Sequence, residues 1–284
     1  MEGLILIAIL PVIVLCVYIY KKDKDKEPGK LLRKTFFFGM LSIIPILLIE
    51  LFLNEILPIM DNFNLIGSFV AVMIGVALVE ELFKWLVVYR KDYNHKDFNH
   101  AYDAIVYAVF ASLGFALIEN LIYVLTNNLS VGILRAFTTI PSHACNAVIM
   151  GYYLGKAKQE EYRGHQDKSN KYMLLSLLMP ILAHGVYDFL IFAQIPILYV
   201  LFVIFVLFLY IICFKLVKKV ADINYNFDGT PVIYKTVDEI KVLPGFGPLK
   251  NVNSLESALY AVKKTLLLGV ILIVAAIIAV ATIY

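Results

Sequence analysis

No H-E-x-x-H zinc helix, no phosphate-binding P-loop and no dinucleotide fingerprint occurs in the sequence. The usual signatures of zincin proteases, P-loop NTPases and Rossmann enzymes are therefore missing. Cysteine is scarce: Cys16, Cys145 and Cys213 lie in three separate apolar stretches without C-x-x-C spacing. That distribution suits small hydrophobes, not disulfides or zinc ligands. Charged residues make up only 17% of the chain against 61% hydrophobic, and the mean hydropathy is +0.81. Those values exclude a soluble domain of ordinary composition. No internal repeat relates the two halves, which weighs against transporters built from inverted repeats.

What the sequence has instead is long apolar runs. A helix needs about 20 residues to cross roughly 30 Å of hydrocarbon. Eight spans are expected, near 3–20, 35–57, 66–89, 103–125, 132–154, 172–190, 194–215 and 265–284. The fold class is all-α, a polytopic membrane bundle of about eight helices. Residues 1–215 form a seven-helix core, 216–263 a small cytoplasmic insert, and 264–284 a last helix. The loops "KKDKDKEPGKLLRK", "RKDYNHKDFNH" and "KAKQEEYRGHQDKSNKY" hold seven, three and five Lys or Arg, while "LPIMDNFN" and "TNNLSV" hold none. Basic and non-basic connections alternate, so the Lys-rich loops are expected in the cytoplasm and both termini outside. The first span lacks the basic start and small-residue cleavage site of a signal peptide and is kept as a helix, bent at Pro11. In the insert, "TPVIYKTV" suits a short hairpin. "LPGFGPLK" resembles the turn of a helix-hairpin-helix module, but one copy without flanking helices reads as a Pro/Gly turn. No nucleic-acid partner is expected.

Once the loop charges are set aside, few ionisable residues remain inside the spans. Span three carries Glu80, Glu81 and Lys84; span four carries Glu119 with Asn120. Span five carries His143 and Asn146 after Pro141, and span six carries His184 and Asp188 after Pro180. Spans one, two, seven and eight are read as holding essentially nothing ionisable at mid-depth. Four consecutive helices thus point to one shared site. Lys84 stands at i,i+4 from Glu80 and i,i+3 from Glu81 and can pair with either, while the two glutamates diverge by about 100°. His184 and Asp188, at i,i+4, suit an imidazole–carboxylate pair. Each proline removes a donor and frees a carbonyl one turn earlier, which fits a protein-lined cavity. Glu119 and His184 lie roughly 9 Å below the non-basic ends of their helices. Bland readings stand beside these: a structural Glu80–Lys84 pair, a solvated Asp188, and His143, Asn120 and Asn146 as interhelical hydrogen-bonding glue.

The motifs "EELFK" (80–84), "FALIE" (115–119) and "HGVYD" (184–188), in order on successive helices, resemble the PrsW family of bacterial intramembrane proteases, related to CAAX-processing enzymes. The histidine of "PSHACN" resembles a further family position. The similarity covers about residues 1–215. It implies site-1 cleavage of a single-span membrane protein such as an anti-sigma factor, near its extracytoplasmic side, in the bacterial cytoplasmic membrane. Two mechanisms follow. In the metal-free one, Glu80 or Glu81 activates water, His184 and His143 stabilise the oxyanion or protonate the amine, and Glu119 helps hold the water. Lys84 and Asp188 tune and orient these groups. In the alternative, His143, His184, Glu119 and Glu80 or Glu81 ligate zinc. The metal-free version is preferred, so no cofactor is expected. A proton- or ion-coupled transporter and a non-catalytic scaffold are the other readings of the same residues.

Overall fold

The computed structural model describes residues 2–56, 65–127 and 129–232. The expected last helix and most of the expected insert lie outside the described residues. Six helical stretches among the described residues, two of them composite, are long and apolar enough to cross a membrane, and no strand occurs among the described residues. The chain is a multi-pass helical membrane protein.

Helix α1 (Glu2–Lys22) leads through a buried acidic turn into α2 (Gly29–Leu41) and α3 (Ile43–Ile56). The latter two make one span, starting earlier than the sequence suggested. Ser42 marks the joint between them: its hydroxyl donates to the Gly39 carbonyl at 2.7 Å, and Pro45 withholds a donor three residues on. The third span is also composite. Helix α4 (Leu65–Val72) passes through a π turn (Met73–Ala77) into α5 (Leu78–Lys91). The Leu78 amide donates five residues back to Met73, so one extra residue rotates α5 relative to α4. Such π turns are rare and cluster at functional sites.

Two long helices fill the centre: α6 (Ala101–Thr126) and α8 (Thr139–Tyr162). A capping box starts α6. The Asp103 carboxylate accepts from the His100 amide at 2.7 Å, and the His100 ring from the Tyr102 amide at 3.3 Å. Gly151 of α8 lets the two backbones meet, since a Cβ there would stand 2.5 Å from the Ile105 Cα.

The expected straight span at 132–154 is instead α7 (Leu129–Phe137) and α8, offset at Thr138. Pro141 sits in the first turn of α8, and the Phe137 carbonyl it leaves without an amide accepts from the Tyr210 hydroxyl at 2.6 Å. Helix α8 is not among the six long apolar helices. Its neighbours shield it almost completely, so it can carry polar residues that lipid would not tolerate.

Helices α9 (Gln166–Phe192) and α10 (Pro196–Ala221) complete the bundle. Beyond α10 the chain turns back beneath the Lys-rich end. The Phe227 amide donates to the Asn99 carbonyl at 2.8 Å, and its ring stacks on Phe98 and Tyr162. Of the expected hairpin only an isolated bridge, Tyr225 to Pro231, falls among the described residues.

Candidate active site

The π turn delivers the start of α5 to the centre of the bundle. Met73, in that turn, fills the space where a side chain on Gly185 would stand, locking α9 against it one residue from His184. Glu80, Glu81 and Lys84 consequently face inward together, at 5%, 0% and 0% exposure.

Lys84 is the hub. Its ammonium donates to Glu80 Oε2 at 2.7 Å and Glu81 Oε1 at 2.9 Å, and lies 3.2 Å from His143 Nδ1. An ammonium only donates, so Nδ1 is the acceptor and the His143 proton sits on Nε2. That nitrogen donates to Glu119 Oε2 at 3.0 Å. The Phe115 ring caps the ammonium 4.3 Å away. Lys84 therefore spends all three hydrogens inside the site.

On the other side, His184 Nδ1 meets Glu81 Oε1 at 2.9 Å and its Nε2 meets Asp188 Oδ2 at 3.2 Å. Glu80 Oε2 is 3.9 Å from the same Nε2. All seven expected site residues, Glu80, Glu81, Lys84, Glu119, His143, His184 and Asp188, thus belong to one connected cluster. The rings of His143 and His184 stand edge to face, 5.4 Å apart. Asn120 and Asn146, expected as glue, differ. The Asn120 amide oxygen is paired, as described below, whereas both polar atoms of the Asn146 side chain are buried without a partner among the described residues.

Two charged residues at the site went unnoticed in the sequence. Arg135, on α7, pairs with Glu119 Oε1 at 2.7 Å and donates to Asn120 Oδ1 at 3.0 Å, over the Tyr123 ring at 3.7 Å. Its partners lie across the α6–α7 corner, so no short spacing announces them. Glu50, in the span read as free of mid-depth charge, lies on the face of α3 whose Ile46 and Leu53 cluster with Val79, Phe83, Phe115 and Ile118 of α5 and α6. It stands alone in an apolar run; only its depth, about two turns from the end of α3, could have signalled it.

One ligand atom from each of Glu80, Glu81, His143 and His184 lies within 4.8 Å of the others. Carboxylate oxygen and imidazole nitrogen are donors that zinc accepts. Glu119 falls outside that set, being held by Arg135 and His143. The donor set fits a metal in type and spacing, although Lys84 engages both carboxylates and would have to release them.

Fold and cluster together define a polytopic membrane protein with an acid–base site on its central helices. The family model for the PrsW family intramembrane metalloproteases matches residues 27–213. Protease PrsW of Oceanobacillus iheyensis is 42% identical over 183 residues, 64% of this chain and 80% of that protein. The Geobacillus kaustophilus protein of the same name is 38% identical over 196 residues, 68% of this chain and 82% of that protein. Protease PrsW of Bacillus subtilis is 37% identical over 195 residues, 68% of this chain and 84% of that protein. No solved structure matches. The chain belongs to the PrsW family of intramembrane proteases, and is accordingly a peptidase.

Proposed function

We propose that this protein hydrolyses a peptide bond of a single-span membrane protein in the outer half of the bacterial cytoplasmic membrane, with Glu80 activating the water. The observation that carries this reading is the difference between the two glutamates. Glu81 is sealed, its side chain 0% exposed and its Oε1 shared by Lys84 and His184. The Glu80 side chain keeps 7% exposure and a single short contact, to Lys84. A base must reach water, and Glu80 is the one with an open side. Glu81 fixes the ammonium and the imidazole. His184, with a carboxylate on each side, donates toward the oxyanion or the departing amine. Glu119, steadied by Arg135, sets the tautomer of His143. Asp188 orients His184.

The alternation of basic loops supports an orientation with the ends of α6 and α9, at Thr126 and Phe192, outside. Glu119 and His184 then lie about two turns below the outer surface. An anti-sigma factor, cut at its first site, is the substrate class that the family resemblance supports. A test is cleavage of such a substrate by reconstituted protein. Glu80→Gln keeps the shape of the side chain but not the base, and should lower the rate on the order of 10²–10⁴ while the protein stays folded. Turnover by Glu80→Gln at the wild-type rate would refute the assignment.

A second reading rests on the four clustered ligand atoms. Zinc held by Glu80, Glu81, His143 and His184 would supply an acidified water and polarise the scissile carbonyl. Activity that survives exhaustive chelation, in protein shown metal-free by elemental analysis, excludes it.

A further inference from the structure

Cutting a transmembrane helix requires unwinding it first. Unwinding frees backbone N–H and C=O groups, each costly in hydrocarbon until it finds a partner. A membrane protease therefore needs polar groups beside its reacting atoms that are not already committed to its own structure. The central cluster offers few. Lys84, His143, His184, Glu119 and Arg135 are all paired with one another or with Glu80, Glu81 and Asp188.

Glu50 is placed differently. Like Glu81 Oε2 and the Asn146 amide, its Oε1 is buried and accepts no hydrogen bond among the described residues, but it makes none of the ion pairs that tie the cluster together among those residues. Ile46 and Leu53, one turn before and one turn after it on the same face of α3, cluster with Val79 and Phe83 of α5 and with Phe115 and Ile118 of α6, so Glu50 sits on the face of α3 that packs against the helices of the site. Its depth, just under two turns below the end of α3 at Ile56, matches that of Glu119 below Thr126. Helix α3 is also the outermost wall at this point, with Leu48, Leu51 and Phe52 turned to the lipid at 65%, 66% and 64% exposure. A carboxyl at that depth in such a helix is expensive without a function.

We propose that Glu50 is a substrate-positioning residue: its free carboxyl oxygen accepts a hydrogen bond from a backbone N–H of the unwound substrate and holds that strand against Glu80. This rests on the peptidase reading above, and it assigns to α3 the wall along which the substrate chain lies. The hydrogen bond forms with substrate and transition state alike, so its loss appears in KM more than in kcat.

The test uses full-length protein in proteoliposomes with a single-span peptide that the wild type cuts. Glu50→Leu should fold at least as well as wild type, because it replaces a polar side chain of an apolar helix by an apolar one. It should raise KM roughly three- to tenfold, the worth of one hydrogen bond, with kcat little changed. Glu50→Gln keeps an acceptor oxygen and should recover most of that loss. In a second series, single backbone N–H groups flanking the cut are replaced by ester oxygen. At one position the ester should raise KM for wild type and leave the Glu50→Leu variant unmoved. A Glu50→Leu variant with wild-type KM, or one reduced in kcat alone, overturns the assignment while leaving the peptidase reading intact. Failure of the wild type to cut any single-span peptide overturns both.

Discussion

Lys84, itself without access to solvent, holds two adjacent carboxylates and a histidine. Replacing it by methionine strands Glu80 and Glu81 side by side, an error that in buried pairs costs roughly 3–5 kcal/mol. Lys84→Met should therefore melt well below wild type in detergent, and adding Glu81→Gln should restore part of the loss. A single variant as stable as wild type would show that the pairs carry no structural weight. Arg135 acts one step further out. Arg135→Leu leaves Glu119 without its cation, so His143 loses a fixed partner. Cleavage should fall by about tenfold or more, with the protein still inserted, as expected when a positioning contact to the machinery is lost. An unchanged rate would take Arg135 and Glu119 out of the mechanism.

Among elements, the close pairing of α6 with α8 decides how well the site is held. Gly151→Ala would push a methyl onto the backbone of Ile105, 2.5 Å from its Cα. The cost should be about 1–3 kcal/mol, read as a lowered melting temperature; an unshifted melt would mean that the helices can part freely. This scale also shows what the sequence could and could not say. Glu80, Glu81, Lys84, Glu119, His143, His184 and Asp188 were legible because ionisable groups stand out in apolar runs, and their i,i+3 and i,i+4 spacings define faces. Arg135 was not, because its partners lie on another helix and pairing across a corner leaves no period. Glu50 was not, because a single carboxylate has no spacing at all. The π turn at Met73–Ala77 and the offset at Thr138 were equally hidden. Both depend on what packs against them: Gly185 in one case, Tyr210 in the other.

The whole molecule carries further buried acids at its Lys-rich end, outside the spans. Burial pushes Asp23 up to about 7 against the opposing pull of Lys26, and pushes Asp92 up to about 7 against the Thr35 hydrogen bond; both start from 3.8. The folded protein thus keeps protons there that the unfolded chain has released, between about pH 4 and about pH 7. Stability should fall as pH rises through that window. The melting temperature in detergent should be lower at pH about 8 than at pH about 5, and the Asp23→Asn, Asp92→Asn double variant should reduce the difference, the remainder belonging to Glu27, which burial also pushes up. A melting temperature that rises over the same interval contradicts this account.

Hydrolysis among α5, α6, α8 and α9, on the outer side of the membrane midplane, is the central proposal. Mass-spectrometric mapping of the cut in a single-span substrate, reconstituted with the purified protein, measures that position directly. The expected cut lies roughly 11 Å inside the extracytoplasmic surface, two helical turns below it, and disappears with Glu80→Gln. A cut mapped to the cytoplasmic half, or one that persists in Glu80→Gln at the wild-type rate, would contradict it.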